Sequence, residues 1–284
     1  MSGVDARPLS WPSHDAVYVT LDLECDYGTA LDTNTYEALD AVPRLVSVLE
    51  QYDVPLTCFV QTEVLDERPT VVDTLRDAAV PISFHAHSHS HRPRAQTDMP
   101  TEVRRATNRF ESFFGCQPAG YRVPNGHIES PDYRSLADHG YAFDASVFPT
   151  RRPGLFDNSD RPRCPTYLPG VDLFELPFTV LSPYVPIPTA LSYHRVLGRP
   201  FGFVQRHFRP RPTVFNVHMH DLVTPDRFAD LPRRYRFVYG RNDRGFSLFE
   251  QTLAEWRRRD LEFGRLDDVV DALQSRDRGR QESA

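Results

Sequence analysis

The sequence predicts an α/β protein built on a mainly parallel sheet. Three observations carry this: short β-branched and aromatic runs, helical spacing between them, and polar clusters placed where those runs end. Val17–Leu21 reads as a buried strand. Leu39, Val42, Leu45, Val46 and Leu49 then recur at helical spacing and predict a helix over Tyr36–Gln51. Leu56–Val60 reads as a second strand and Thr70–Ala79 as a second helix. A third strand, Val80–Phe84, runs directly into a histidine cluster. Thr101–Phe114 is a further helix, opening on a capping-like Thr101 and stopping at Gly115. Tyr121–Val123 follows as a short strand. The later half is richer in proline, so Pro149–Pro169 and Pro183–Pro212 read as long irregular connections. Strand-like segments return at Leu173–Leu176 and Val214–Val217, and helices at Leu248–Arg259 and Leu266–Leu273. Alternation at this spacing indicates a parallel sheet, open or closed into a barrel. No repeat or linker divides the chain, so one domain is expected over residues 1–284, with its core at about 15–274 and polar termini.

Of the 284 residues, 40% are hydrophobic and 25% charged, the ordinary globular range. A net charge of -6 argues against nucleic acid as the main partner. All 33 basic side chains are Arg and none is Lys, which removes Schiff-base and P-loop lysine chemistry. The polar start MSGVDARPLSWPSHDA lacks the apolar core of a signal peptide, and no window approaches a membrane span, so a cytoplasmic protein is expected. Cys25, Cys58, Cys116 and Cys164 lie far apart without a CxxC pair and read as free thiols.

Four of the eleven histidines fall at His85, His87, His89 and His91, at the end of a predicted strand. Histidines four apart can face one side of a turn and bind one zinc-class ion, which offers two pairs, His87/His91 and His85/His89. An anionic partner is available where the first strand ends, at Asp22, Glu24 and Asp26. In parallel-sheet proteins ligands gather at the carboxyl ends of strands, and both clusters satisfy that rule. Residues 22 and 24 share a face on a strand, which favours Glu24 as a ligand; a turn after Leu23 would bring Asp26 instead.

At this point the sequence resembles the polysaccharide deacetylase (NodB-homology) family. Thr20-Leu21-Asp22 resembles the start of its acidic motif, and His87-Ser88-His89-Ser90-His91 its His-(Ser/Thr)-x-x-His motif. Arg122-Val123-Pro124-Asn125-Gly126 resembles its Arg-x-Pro-x-Gly motif. Asp144-Ala145-Ser146-Val147-Phe148-Pro149 and Val217-His218-Met219-His220-Asp221 resemble its two later motifs. All stand in the family's order across roughly residues 15–270. The resemblance implies an irregular (β/α) barrel of about seven parallel strands and metal-dependent removal of an N-acetyl group from an amino-sugar glycan. It implies Asp22 as general base, oriented by Arg122, with His87, His91 and Glu24 or Asp26 holding a divalent metal. Zinc is the first choice, with cobalt, nickel or manganese as alternatives. His218 would be the general acid, held by Asp144, with His220 its competitor. Pro124, Leu176 and Pro177 would meet the substrate. The interrupted acidic motif departs from the family's adjacent Asp-Asp. That keeps open an allantoinase-like hydrolase of cyclic amides; a non-catalytic carbohydrate-binding relative is the remaining alternative.

Overall fold

Seven strands form the frame of the molecule: β1 (Ala16–Leu23), β2 (Leu56–Val60), β3 (Ile82–Ala86), β4 (Gly120–Tyr121), β5 (Phe143–Asp144), β6 (Leu173–Glu175) and β7 (Thr213–His218). The computed structural model describes residues 6–152, 156–182, 184–208, 210–240 and 244–281. Across the sheet the order is β6-β5-β4-β3-β2-β1-β7, every neighbour parallel, as an irregular (β/α) barrel requires. An eighth short parallel strand, β8 (Glu262–Gly264), pairs with Ala16–Tyr18 of β1. β7 already occupies Val17–Asp22 on one edge of β1, so β8 lies on the other edge, below the stretch Thr20–Leu23 that β2 takes.

Between β6 and β7 the wall is completed by extended chain rather than by a ladder. The Thr179 and Thr189 hydroxyls both donate to the Val214 carbonyl, at 3.2 and 2.6 Å, and the Asn216 amide donates to Thr189 O at 3.1 Å. Two threonines thus satisfy strand-edge groups that would otherwise be buried without partners.

The alternation along β1 decides what faces the site. Val17, Val19, Leu21 and Leu23 point outward and pack beneath the helices with Val42, Leu45, Leu49, Val72 and Leu75. Successive strand side chains take opposite faces, so Thr20, Asp22 and then Glu24 turn inward. β7 repeats the pattern: Phe215 and Val217 join the outer core, leaving Asn216 and His218 inside.

Several elements differ from the sequence expectation. The helix over Tyr36–Gln51 divides into a 3-10 turn at Glu37–Ala41 and an α-helix at Val42–Gln51, because Pro43 supplies no N–H for continuous α-helical bonding. The third strand runs on into the histidine cluster, to Ala86. The cap of Met99–Phe114 is Asp98, whose carboxylate accepts the Thr101 amide at 3.2 Å. The stretch expected to be an irregular connection through Pro212 contains helices at Leu191–Leu197 and Arg199–Phe208. Prolines there sit outside the helices or in a first turn, as Pro200 does, where no helical N–H is lost.

Candidate metal centre

The mouth of the barrel gathers the polar ends of β1, β3, β4 and β7. In the strand register His218 stands beside Asp22. The His87 amide bonds to Val60 O at 2.8 Å and the Arg122 amide to Ala86 O at 3.0 Å, so main-chain pairing carries these side chains to one level.

Glu24, His87 and His91 converge on a point. Glu24 Oε2 lies 2.6 Å from His91 Nε2 and 2.9 Å from His87 Nε2, and the two nitrogens are 3.1 Å apart. His87 Nδ1 lies 2.9 Å from the Arg122 carbonyl oxygen. That oxygen can only accept, so Nδ1 holds a proton, and a bound metal would meet the Nε2 lone pair. A lone pair, a carboxylate oxygen and a second imidazole nitrogen this close need positive charge among them. In the ion-free protein a proton serves: burial depresses the His91 imidazole, but the Glu24 charge and hydrogen bond hold it well above its ordinary value. Burial likewise opposes ionisation of Glu24, and His91 and His87 outweigh it and hold its carboxyl well below the usual range. A zinc-class ion fits this donor set, with the carbonyl-bound His87 oriented as metal-ligating imidazoles are.

The loop that presents His91 is strained and tightly organised. Ser88 and His91 adopt left-handed φ values of 64° and 52°. The buried Glu102 holds the turn, accepting from Ser88 Oγ at 2.9 Å and from the amides of His89 and Ser90 at 3.2 and 2.9 Å. Gly28, at φ 56°, passes beneath: a Cβ there would stand 3.1 Å from His91 Cε1 and 3.2 Å from Glu24 Oε1.

Beside this cluster lies a second network. Arg122 Nη1 donates to Asp22 Oδ1 at 2.6 Å, to Thr20 Oγ1 at 3.0 Å and to Asn216 Oδ1 at 3.0 Å, while its Nε donates to Ala145 O at 2.9 Å. Its guanidinium is clamped between the rings of Phe59 and Phe178, at 4.0 and 4.4 Å. Asn216 Nδ2 donates to Asp22 Oδ2 at 3.0 Å. Burial pushes the Asp22 carboxyl up, but Arg122, then His87 and His218, overcome it and hold it well below the usual carboxylate range. His218 Nε2 faces Asp22 Oδ2 at 3.4 Å, and its Nδ1 is held by Asp221 Oδ2 at 2.8 Å. Burial lowers the His218 imidazole, but hydrogen bonds to Asp22 and Asp221 and the Asp221 charge raise it well above its ordinary value.

The remaining expected residues fall elsewhere. Asp26 turns away and accepts the amides of Glu37 and Ala38 at 2.8 and 2.9 Å, a main-chain cap. His85 accepts the Gly120 amide at 3.2 Å and packs tilted against Phe59 and edge-on to Phe143, while His89 meets Thr62 Oγ1 at 2.9 Å. The expectation that Asp144 holds His218 is corrected by Asp221, which occupies that position. Asp144 instead accepts the Ser146 amide and hydroxyl at 2.8 and 2.6 Å. It also neighbours Glu175, whose carboxyl burial and the Asp144 charge push well above its ordinary value. His220, buried against Tyr27, accepts that residue's amide at 3.1 Å, and burial pulls its imidazole down to about 4. Leu176 and Pro177 are also corrected: both are buried, Leu176 packing in the core with Phe59 and Phe143, and neither lines the cavity. Pro124 opens the turn at Pro124–Gly126 and is likewise off the lining. Sequence reasoning missed Thr20, Asn216, Glu102 and Asp221. Strand alternation from Asp22 and His218 marks Thr20 and Asn216, and the i,i+3 spacing of His218 and Asp221 marks the last.

The site opens into a cavity of about 310 Å³, lined in part by Tyr27, Val123, Phe148, Tyr193, Val196 and Tyr239. Among the described residues, no helix is long and apolar enough to cross a membrane, and all four cysteines are free.

The polysaccharide deacetylase family model matches residues 14–143. A protein from Mycobacterium smegmatis described as a polysaccharide deacetylase is 19% identical with a TM-score of 0.60, covering 95% of this chain and 94% of its own. A CE4 family pseudoenzyme from Bacillus anthracis is 13% identical with a TM-score of 0.54, covering 93% of this chain and 69% of its own. An allantoinase named Puue is 14% identical with a TM-score of 0.55, over 93% and 92%. These likenesses concern the fold. No curated protein matches.

Proposed function

We propose that this chain, whose residues 14–143 match the polysaccharide deacetylase family model, is a metal-dependent hydrolase that removes an N-acetyl group from an amino-sugar glycan or glycan precursor. One observation carries the reading: an ionised carboxylate, Asp22, lies between a three-donor cluster and His218, with ligand atoms of Asp22, Glu24 and His218 within 4.8 Å of one another.

Glu24, His87 and His91 would hold the divalent ion, zinc by preference. When bound, such an ion supplies Lewis acidity, acidifying water and polarising the amide carbonyl. Asp22 accepts the proton of the attacking water at its carboxylate. Arg122 and Asn216 fix the orientation of that carboxylate, and their hydrogen bonds keep it ionised at neutral pH. His218 carries its proton on Nε2 toward the departing nitrogen, and Asp221 on Nδ1 both fixes the ring and keeps it charged. The products are acetate and a free amine.

The test is acetate release from N-acetylglucosamine oligomers, with and without chelator and with added Zn²⁺. Metal-dependent release supports the proposal; release that persists after chelation, or none with any divalent ion, overturns it. A second reading, hydrolysis of a small cyclic amide, is favoured by the size of the cavity, which suits a compact substrate better than a long polymer. Turnover of allantoin in place of acetate release would select it. Retention of every activity in Asp22→Asn would point instead to a role without catalysis by this site.

A further inference from the structure

The cavity contains a cation that the chemistry just described does not use. Arg122 is committed to the Asp22 network, through Nη1 to Asp22, Thr20 and Asn216 and through Nε to Ala145 O, with its Nη2 buried beside them. Arg152 also lines the cavity, and among the described residues no carboxylate lies within ion-pair distance of it. Its neighbour Arg151 pairs with Asp157, at 3.6 Å, on the exposed side of the same hairpin. The acids lining the cavity are Asp22 and Glu24, and both are committed, to Arg122 and to the histidine pair.

The position of Arg152 is built rather than incidental. Its guanidinium lies over Phe148 at 4.5 Å and near Phe156 at 5.7 Å, and its Nη2 donates to the Tyr193 hydroxyl at 3.2 Å. Phe148 stacks on Phe178 at 3.8 Å with an interplanar angle of 7°, and Phe178 carries Arg122 on its other face. The two guanidiniums therefore cap a stack two rings thick. One holds the reacting end of the cavity and the other is set back along its wall. A stacked guanidinium keeps its N–H edges free, and its planar fork matches an oxyanion.

We propose that Arg152, steadied by Phe148 and Tyr193, is a specificity-determining residue that binds an oxyanion substituent, carboxylate or phosphoryl, on the acetylated substrate. This inference rests on the deacetylase reading for its choice of substrate, but the site it names can be tested by binding alone.

Binding and acetate release are measured for N-acetylglucosamine, N-acetylmuramic acid and N-acetylglucosamine 6-phosphate. The proteins are the metal-loaded wild type, Arg152→Gln, Arg152→Lys and Arg151→Gln. The expected result is tighter binding of at least one anionic probe than of the neutral sugar by about tenfold. That preference falls to about one in Arg152→Gln, returns in part in Arg152→Lys, and persists in Arg151→Gln. Which anionic probe gains identifies the group as carboxylate or phosphoryl. No anionic preference in the wild type, or a preference unchanged in Arg152→Gln, overturns the inference even if acetate is released. A preference that depends on Arg152 without any acetate release leaves the anion site standing and removes the deacetylase reading.

Discussion

Consider what happens when the buried pair Asp22–Arg122 is taken apart. The two groups meet at 2.6 Å with almost no exposure to water. At an effective dielectric near 20, unit charges about 4 Å apart attract by about 4 kcal/mol, most of it offset by the desolvation both have undergone. Removing one partner leaves the other buried without its counter-charge, at a cost of about 3–5 kcal/mol. Asp22→Asn and Arg122→Gln are each expected to lower the unfolding free energy by that amount at pH 7. The double variant, which leaves neither charge stranded, should lose about 2 kcal/mol less than the sum. Urea unfolding with EDTA present measures this without a metal's contribution, provided the slope with denaturant stays constant across the four proteins. Asp22 is held below its ordinary pKa, so the coupling is fully present above about pH 4, where the unfolded carboxyl is already ionised, and fades as pH falls further. Additivity within about 0.5 kcal/mol would refute the reasoning. It would show that Phe59, Phe178 and the Ala145 carbonyl hold Arg122, and that Asp22 is incidental to it.

Three other expectations are open to measurement. Asp221→Asn removes one of the two carboxylates that keep His218 protonated, leaving Asp22, so the alkaline limb of the pH–rate profile should move to lower pH and kcat at neutral pH should fall about 100-fold; an unmoved limb would exclude His218 as the acid. Glu24→Gln should weaken Zn²⁺ binding by calorimetry at least about 100-fold, whereas Asp26→Asn should leave it close to wild type while lowering stability through the lost cap. His220 stays neutral in the fold down to about pH 4, while an unfolded histidine gains its proton near 6.5. At this position the unfolded state therefore binds more protons as pH falls, so the stability of the protein relative to His220→Asn should fall by about 2 kcal/mol between pH 8 and 5; a difference that stays constant over that range would contradict it.

Much of the frame was legible along the chain, because it depends on local pattern. The apolar runs at Val17–Leu21, Leu56–Val60 and Val214–Val217 read as buried strands from their length and β-branched and aromatic content, and the position of Asp22 and His218 at two strand ends follows from those runs. Helices between Leu191 and Phe208 were not legible, since proline spacing conceals their short periodicity.

By itself, then, the sequence determined the strand–helix alternation, the clustering of histidines and acids at strand ends, and the identity of Asp22, His87, His91, Arg122 and His218 as the residues to watch. Tertiary structure decided every choice between near-equivalent side chains. Glu24 rather than Asp26 faces the histidines because the chain turns at Tyr27 and Gly28, spending Asp26 on the amides of Glu37 and Ala38. His85 and His89 stand apart from that cluster, His85 against the Gly120 amide and His89 against the Thr62 hydroxyl. Asp221 supplants Asp144 because partnership across a barrel is set by strand register and by the turn after β7, neither of which is written in any one motif. Hydrophobic periodicity is a property of neighbours in sequence; the convergence of lone pairs on one point is a property of strands brought side by side.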